Sequence, residues 1–151
     1  MHPNVNTISF QEILPIWNTH LWPNRISEIA PNSAMCYLEG YSSVNMQTNP
    51  TFFAYIIDDQ IAGVNSGHMC ENKYYRSRGL YVFDEYRGQG IGKALLIETI
   101  NQGMLEGAEF CWSYPRLSSW KTYASAGFKR TTDWEKSETS DDNAYCIYQY
   151  A

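Results

Sequence analysis

At 151 residues the chain has the length of one domain, able to bury about 70% of the surface that its unfolded form exposes. Charged residues make up 18% and aromatics 15%, with twelve Tyr and five Trp, a composition that excludes a disordered chain. The formal net charge of −5 argues against nucleic acid or an anionic membrane as partner.

Ser9, with Glu12 at the capping-box position and Phe10, Ile13, Leu14 and Trp17 at helical spacing, predicts a first amphipathic helix over 9–20. Residues 21–41 contain Pro23 and Pro31 and read as a short helix or an ordered covering loop. A strand over 52–57, a turn at Asp58-Asp59-Gln60 and a partner strand over 61–69 form a hairpin. Polar residues 71–76 then lead to a strand over 79–83 and a glycine-rich loop. The following helix spans about 91–106, with Ala94, Leu95, Ile97, Ile100 and Met104 as its apolar face and Gly107 as its stop. A short strand at 110–112, a helix over 118–126 and two terminal strands near 127–134 and 144–149 complete the chain.

The cysteines at 36, 70, 111 and 146 lie more than thirty residues apart, so no pair has zinc-ligand or redox spacing and no metal is expected. They read as reduced thiols. The start lacks a basic region followed by an apolar one, and no apolar run approaches the ~18 residues of a membrane span. These features predict a soluble, cytoplasmic protein.

The loop Arg87-Gly88-Gln89-Gly90-Ile91-Gly92-Lys93 joins a strand to a helix, an arrangement that holds phosphate: glycines let backbone N–H groups approach an anion at the positive end of a helix. A Walker A loop would need Gly at 87 and Ser or Thr at 94, where Arg87 and Ala94 stand. A dinucleotide fingerprint needs glycines spaced G-x-G-x-x-G, but these fall at 88, 90 and 92. Both readings fail.

The segment instead resembles motif A of the GNAT acetyltransferase superfamily, Gln/Arg-x-x-Gly-x-Gly/Ala, matched by Arg87, Gly90 and Gly92. Tyr123-Ala124-Ser125-Ala126-Gly127-Phe128 resembles the family's Tyr-x-x-x-Gly-Phe segment, and the element order agrees with its topology. The resemblance implies a single α/β domain over 1–151, a mixed central sheet flanked by helices. It implies acetyl-CoA as the coenzyme, its pyrophosphate on the amides of residues 88–93 and its pantetheine arm along Leu80, Tyr81 and Val82. It also implies Tyr123 as the acid that protonates the departing thiolate.

Two departures stand out. Arg116 occupies the place of the family's Asn before the catalytic Tyr, and the points where carboxylate bases are found fall near Arg76 and Cys111. His68 is therefore the candidate base, because imidazole titrates near neutrality, with Glu71 and Glu85 as fallbacks. The acceptor surface is expected around Trp22, Arg25, Arg78, Trp112 and Arg116, with Trp17, Tyr41, Arg76 and Tyr114 nearby. Such residues suit a carboxylate-bearing or planar acceptor. The sequence thus predicts an N-acetyltransferase acting on a small-molecule or peptide amine. A noncatalytic acyl-CoA-binding module and a nucleobase modifier are the alternatives, and a homodimer is left open.

Overall fold

Ser9 starts helix α1, Phe10–Ile16, through the expected capping box: its hydroxyl accepts the Glu12 N–H at 3.2 Å, and the Glu12 carboxylate accepts the Ser9 N–H at 3.0 Å. Pro15 brings no N–H to the ladder, and the chain continues as a wider π-helical turn, Trp17–Leu21. The structure, a computed structural model, describes residues 1–136 and 142–151.

Strands β1 (Val5–Ile8), β2 (Thr51–Ile57), β3 (Gln60–Met69), β4 (Tyr74–Val82), β5 (Phe110–Ser113), β6 (Lys129–Arg130) and β7 (Cys146–Gln149) form one sheet in the order β1-β2-β3-β4-β5-β7-β6. Among the described residues only the β4–β5 pairing is parallel, and helix α2 (Ile91–Leu105) provides the crossover between those strands. Helix α3, Trp120–Ser125, follows β5.

Alternation along the strands divides the core. On β2, Phe52 joins Ile13, Trp17 and Val64 beneath α1, while Phe53 joins Val5, Ile91 and Leu95 beneath α2. A third cluster packs Leu96 and Ile100 of α2 and Tyr123 of α3 against Tyr75, Cys111 and Cys146.

Four expectations change. Strand β1 is not foreseen by the sequence reading; it is short and gains its ladder by pairing with β2. Strand β4 begins at Tyr74 rather than at 79, so the second half of the polar stretch 71–76 is strand and Glu71–Lys73 form a 3-10 turn. The strand expected near 127–134 is only Lys129–Arg130. On α2, Ile97 and Met104 are exposed, and the buried face instead includes Leu96, Thr99 and Gly103. The reason lies on the sheet: Asn65 donates to the Thr99 hydroxyl at 2.9 Å, and Tyr75 packs so close to Gly103 that an added Cβ would lie 2.8 Å from its ring.

The pairing between β4 and β5 covers only Tyr74–Arg76 with Phe110–Trp112, after which the strands part. At the fork the Ser113 hydroxyl donates to the Ser77 carbonyl at 2.7 Å. Beyond it, the rest of β4 is paired on its β3 side alone. The opening between the strands is where the clefts lie.

Candidate active site

The register between β3 and β4 slips between Val64 and Ser66, whose partners are Tyr81 and Arg78. The extra residue on β4 is a bulge at Gly79-Leu80, and Gly79 takes φ +82°. The Trp17 indole lies against it, donating Nε1–H to the Gly79 carbonyl at 2.9 Å. A Cβ on Gly79 would stand 2.5 Å from that indole, so no other residue fits without displacing it.

Two clefts open from the fork. The larger, about 620 Å³, runs from His20 along Leu80, Tyr81 and Val82 to the glycine loop and the first turn of α2. Of the residues predicted to hold a coenzyme, Leu80, Tyr81, Val82, Arg87, Gly88, Gly90, Ile91, Gly92 and Lys93 all line it. Gln89 is exposed and stands outside the lining. Gly88 and Gly90 have φ of +80° and +77° with no atom within 4 Å of an added Cβ, so the loop presents bare backbone to open space. Arg87 braces the loop, donating to the Val82 carbonyl at 2.9 Å and pairing with Asp84 at 2.9 Å. Gly92 lets α2 approach α3, since a Cβ there would lie 2.8 Å from Thr122.

The smaller chamber, about 230 Å³, is walled by Arg76, Arg78, Ser113, Arg116 and Tyr123 and shares Leu21, Leu80, Arg116 and Ser119 with the larger cleft. Tyr123 is buried, with its hydroxyl 3.4 Å from that of Ser113. Burial pushes its phenol up to about 12, so at neutral pH it holds its proton. No Asp or Glu among the described residues lines either cleft.

Of the residues expected on the acceptor surface, Trp22, Arg78 and Arg116 line the chamber and Arg25 and Trp112 do not. Arg25 is exposed, stacked over Trp22 and bonded to Ser27. Trp112 is fully buried beneath Arg76. His68 is also fully buried and lines neither cleft. Burial, with Arg76 and Arg78 nearby, pulls its imidazole down to about 3, so it is neutral but closed off from any acceptor in the chamber. Glu71 and Glu85 are exposed and lie outside both clefts. Sequence reasoning missed Ser113, Ser77 and the Gly79 bulge; only the lone Gly inside a strand pattern signals the last.

The model of the Acetyltransferase (GNAT) family matches residues 15–128, which include the fork, the glycine loop and Tyr123. The chain belongs to the GNAT acetyltransferase family. Solved structures share the GNAT fold at low identity. An acetyltransferase of the GNAT family from Staphylococcus aureus Mu50 is 16% identical with TM-score 0.64, over 96% of this chain and 98% of its own. An acetyltransferase from Bacillus subtilis, in complex with CoA, is 14% identical with TM-score 0.57, over 68% of this chain and 78% of its own. The PaiA N-acetyltransferase from Thermoplasma acidophilum, in complex with coenzyme A, is 22% identical with TM-score 0.55, over 68% and 62%. Among curated proteins no sequence matches this GNAT chain. None of its helices among the described residues is long and apolar enough to cross a membrane.

Proposed function

We propose that this GNAT protein transfers an acetyl group from acetyl-CoA to an amine of a small molecule or peptide. One observation carries the reading: a long cleft floored by bare loop amides meets a separate small chamber at Leu80 and Arg116, beside Tyr123. Such a junction brings two reactants together and removes the entropy of their encounter from the barrier.

The coenzyme supplies the acetyl group as a thioester. The loop of residues 88–93 fits its pyrophosphate, because Gly88 and Gly90 expose amides at the start of α2 and Lys93 lines the same wall. The unpaired side of β4 at Leu80–Val82 offers backbone donors and acceptors to an extended arm. Coenzyme A bound to the Bacillus and Thermoplasma proteins of the same fold supports this assignment. In the transfer an N–C bond forms at the acyl carbon, the C–S bond breaks with its electron pair on sulfur, and a proton passes in net from nitrogen to sulfur. Tyr123, protonated and in the wall of the smaller chamber, donates a proton to the sulfur and regains one from the amine nitrogen.

A second reading rests on the same lining, because a cleft without Asp or Glu among the described residues is what a noncatalytic acyl-CoA-binding module would show. Thiol release from acetyl-CoA with a broad amine panel separates them. Release above the hydrolysis background establishes transfer; tight coenzyme binding with none assigns the module.

A further inference from the structure

The smaller chamber holds positive charge that the fold does not neutralise. Three arginines, 76, 78 and 116, line it and no carboxylate among the described residues does, in a chain whose net charge is −5. The ion pairs among the described residues, Arg87–Asp84 and Arg130–Asp133, lie elsewhere.

Each guanidinium is held differently. Arg78 is 4% exposed and stacked on Trp17 and Trp22 at 5.0 Å, and one of its nitrogens donates to the Ala30 and Pro31 carbonyls. Arg116 donates to the Leu21 carbonyl at 2.9 Å. Arg76 stacks over Trp112 at 5.0 Å and donates to no described residue, and its buried Nε–H has no partner. Arg76 is half-buried with its Nε shut off from solvent, Arg78 is buried, and burial drives both below the usual guanidinium range. A desolvated, unpaired cation is costly to a fold, and one that also lacks hydrogen-bond partners is costlier still.

The chamber's size and position narrow what would relieve that cost. At about 230 Å³ it falls below the ~300–1,000 Å³ of drug-sized sites, so it takes a compact molecule. It opens to the coenzyme cleft at Leu80 and Arg116 and has Arg76 among its walls. Planar guanidinium forks match carboxylates in bidentate geometry.

Building on the acetyltransferase reading, we propose that the acceptor is an amino carboxylate of free amino acid size, its carboxylate bound by Arg76 and Arg78 and its amine directed toward Tyr123. The same two cations disfavour a third positive charge close by. They therefore favour the neutral amine, the nucleophilic form, in a chamber whose described walls carry no carboxylate base.

The test pairs each of the twenty α-amino acids with its C-terminal amide. Calorimetry with and without saturating coenzyme A reads binding, and thiol release from acetyl-CoA reads turnover. At least one acid is expected to bind or turn over about 10- to 100-fold better than its amide, the range of a charge-assisted hydrogen bond. Arg76→Met, which keeps a side chain on Trp112, is expected to erase that preference while coenzyme affinity stays. It is also expected to leave thermal stability equal or higher, because a half-buried guanidinium without a carboxylate partner among the described residues is removed. Arg78→Gln is the second variant, and its coenzyme affinity reports whether it folds. Acids preferred in calorimetry without thiol release would sink the transfer reading and keep the anion site. Equal handling of acids and amides, binding of neither, or a preference that survives Arg76→Met would overturn the proposal.

Discussion

Replacing Gly79 by Ala strikes the point where β4 bends and the chamber begins. The backbone there sits at φ +82°, where a Cβ costs about 1–2 kcal/mol. The new methyl would also stand 2.5 Å from the Trp17 indole, which is 0% exposed, ringed by Phe10, Trp22 and Phe52, and tied to the Gly79 carbonyl at 2.9 Å. Overpacking of that kind costs about 1–3 kcal/mol, so the total is about 2–5 kcal/mol, a large share of a typical ~5–15 kcal/mol stability. Gly40→Ala is the control: its φ is +77° and nothing lies within 4 Å of the added Cβ, so only the backbone cost applies. Urea denaturation of both variants measures the difference, expected at about 1–3 kcal/mol. Equal destabilisation of the two would refute the claim that Trp17 dictates glycine at 79.

Tyr123→Phe keeps the buried ring and is expected to lower turnover by about 10²- to 10⁴-fold with coenzyme affinity nearly unchanged; near-normal turnover in a folded preparation removes the hydroxyl from the mechanism. Gly90→Val meets no neighbouring atom but must adopt φ +77°, so a folded variant is expected to lose about 1–2 kcal/mol of stability and most of its coenzyme A affinity, and retained affinity moves the pyrophosphate elsewhere. His68 titrates at about 3 in the folded protein against 6.5 unfolded, so below pH 6.5 the unfolded chain binds the extra proton and stability falls as pH drops toward 3. Between pH 7 and pH 5 that loss is about 2 kcal/mol; a His68→Gln variant that shows the same urea-midpoint slope with pH as the parent would contradict the burial of a neutral ring.

Local rules carried much of the fold into the sequence. The Ser9–Glu12 box marks the start of α1, and the glycine loop marks the start of α2, because caps and left-handed glycines depend on neighbours within a few residues. What failed depended on distant partners. The face of α2 could not be read from Ile97 and Met104, since Asn65 and Tyr75 of the sheet select Thr99 and Gly103 instead. The edge strand β1 exists through β2, and Trp112 looked like a cleft aromatic until β5 placed it beneath Arg76.

The missed start of β4 is different in kind, because the residues that hid it belong to the chamber. Tyr74-Tyr75-Arg76-Ser77-Arg78 reads as polar, yet it alternates as a strand should: Tyr75 packs into the α2-side core, while Arg76 and Arg78 stack over tryptophans on the other face. Aliphatic residues at 76 and 78 would have made the strand obvious and the fold cheaper to build. Two arginines there instead, stacked on Trp112, Trp17 and Trp22 without a carboxylate partner among the described residues, work against stability at the mouth of the fork. Their Trp stacking orients the guanidiniums before any ligand arrives, which lowers the ordering cost of binding an anion. The place where the strand pattern breaks its own rule is therefore the place to which the proposal assigns the acceptor carboxylate.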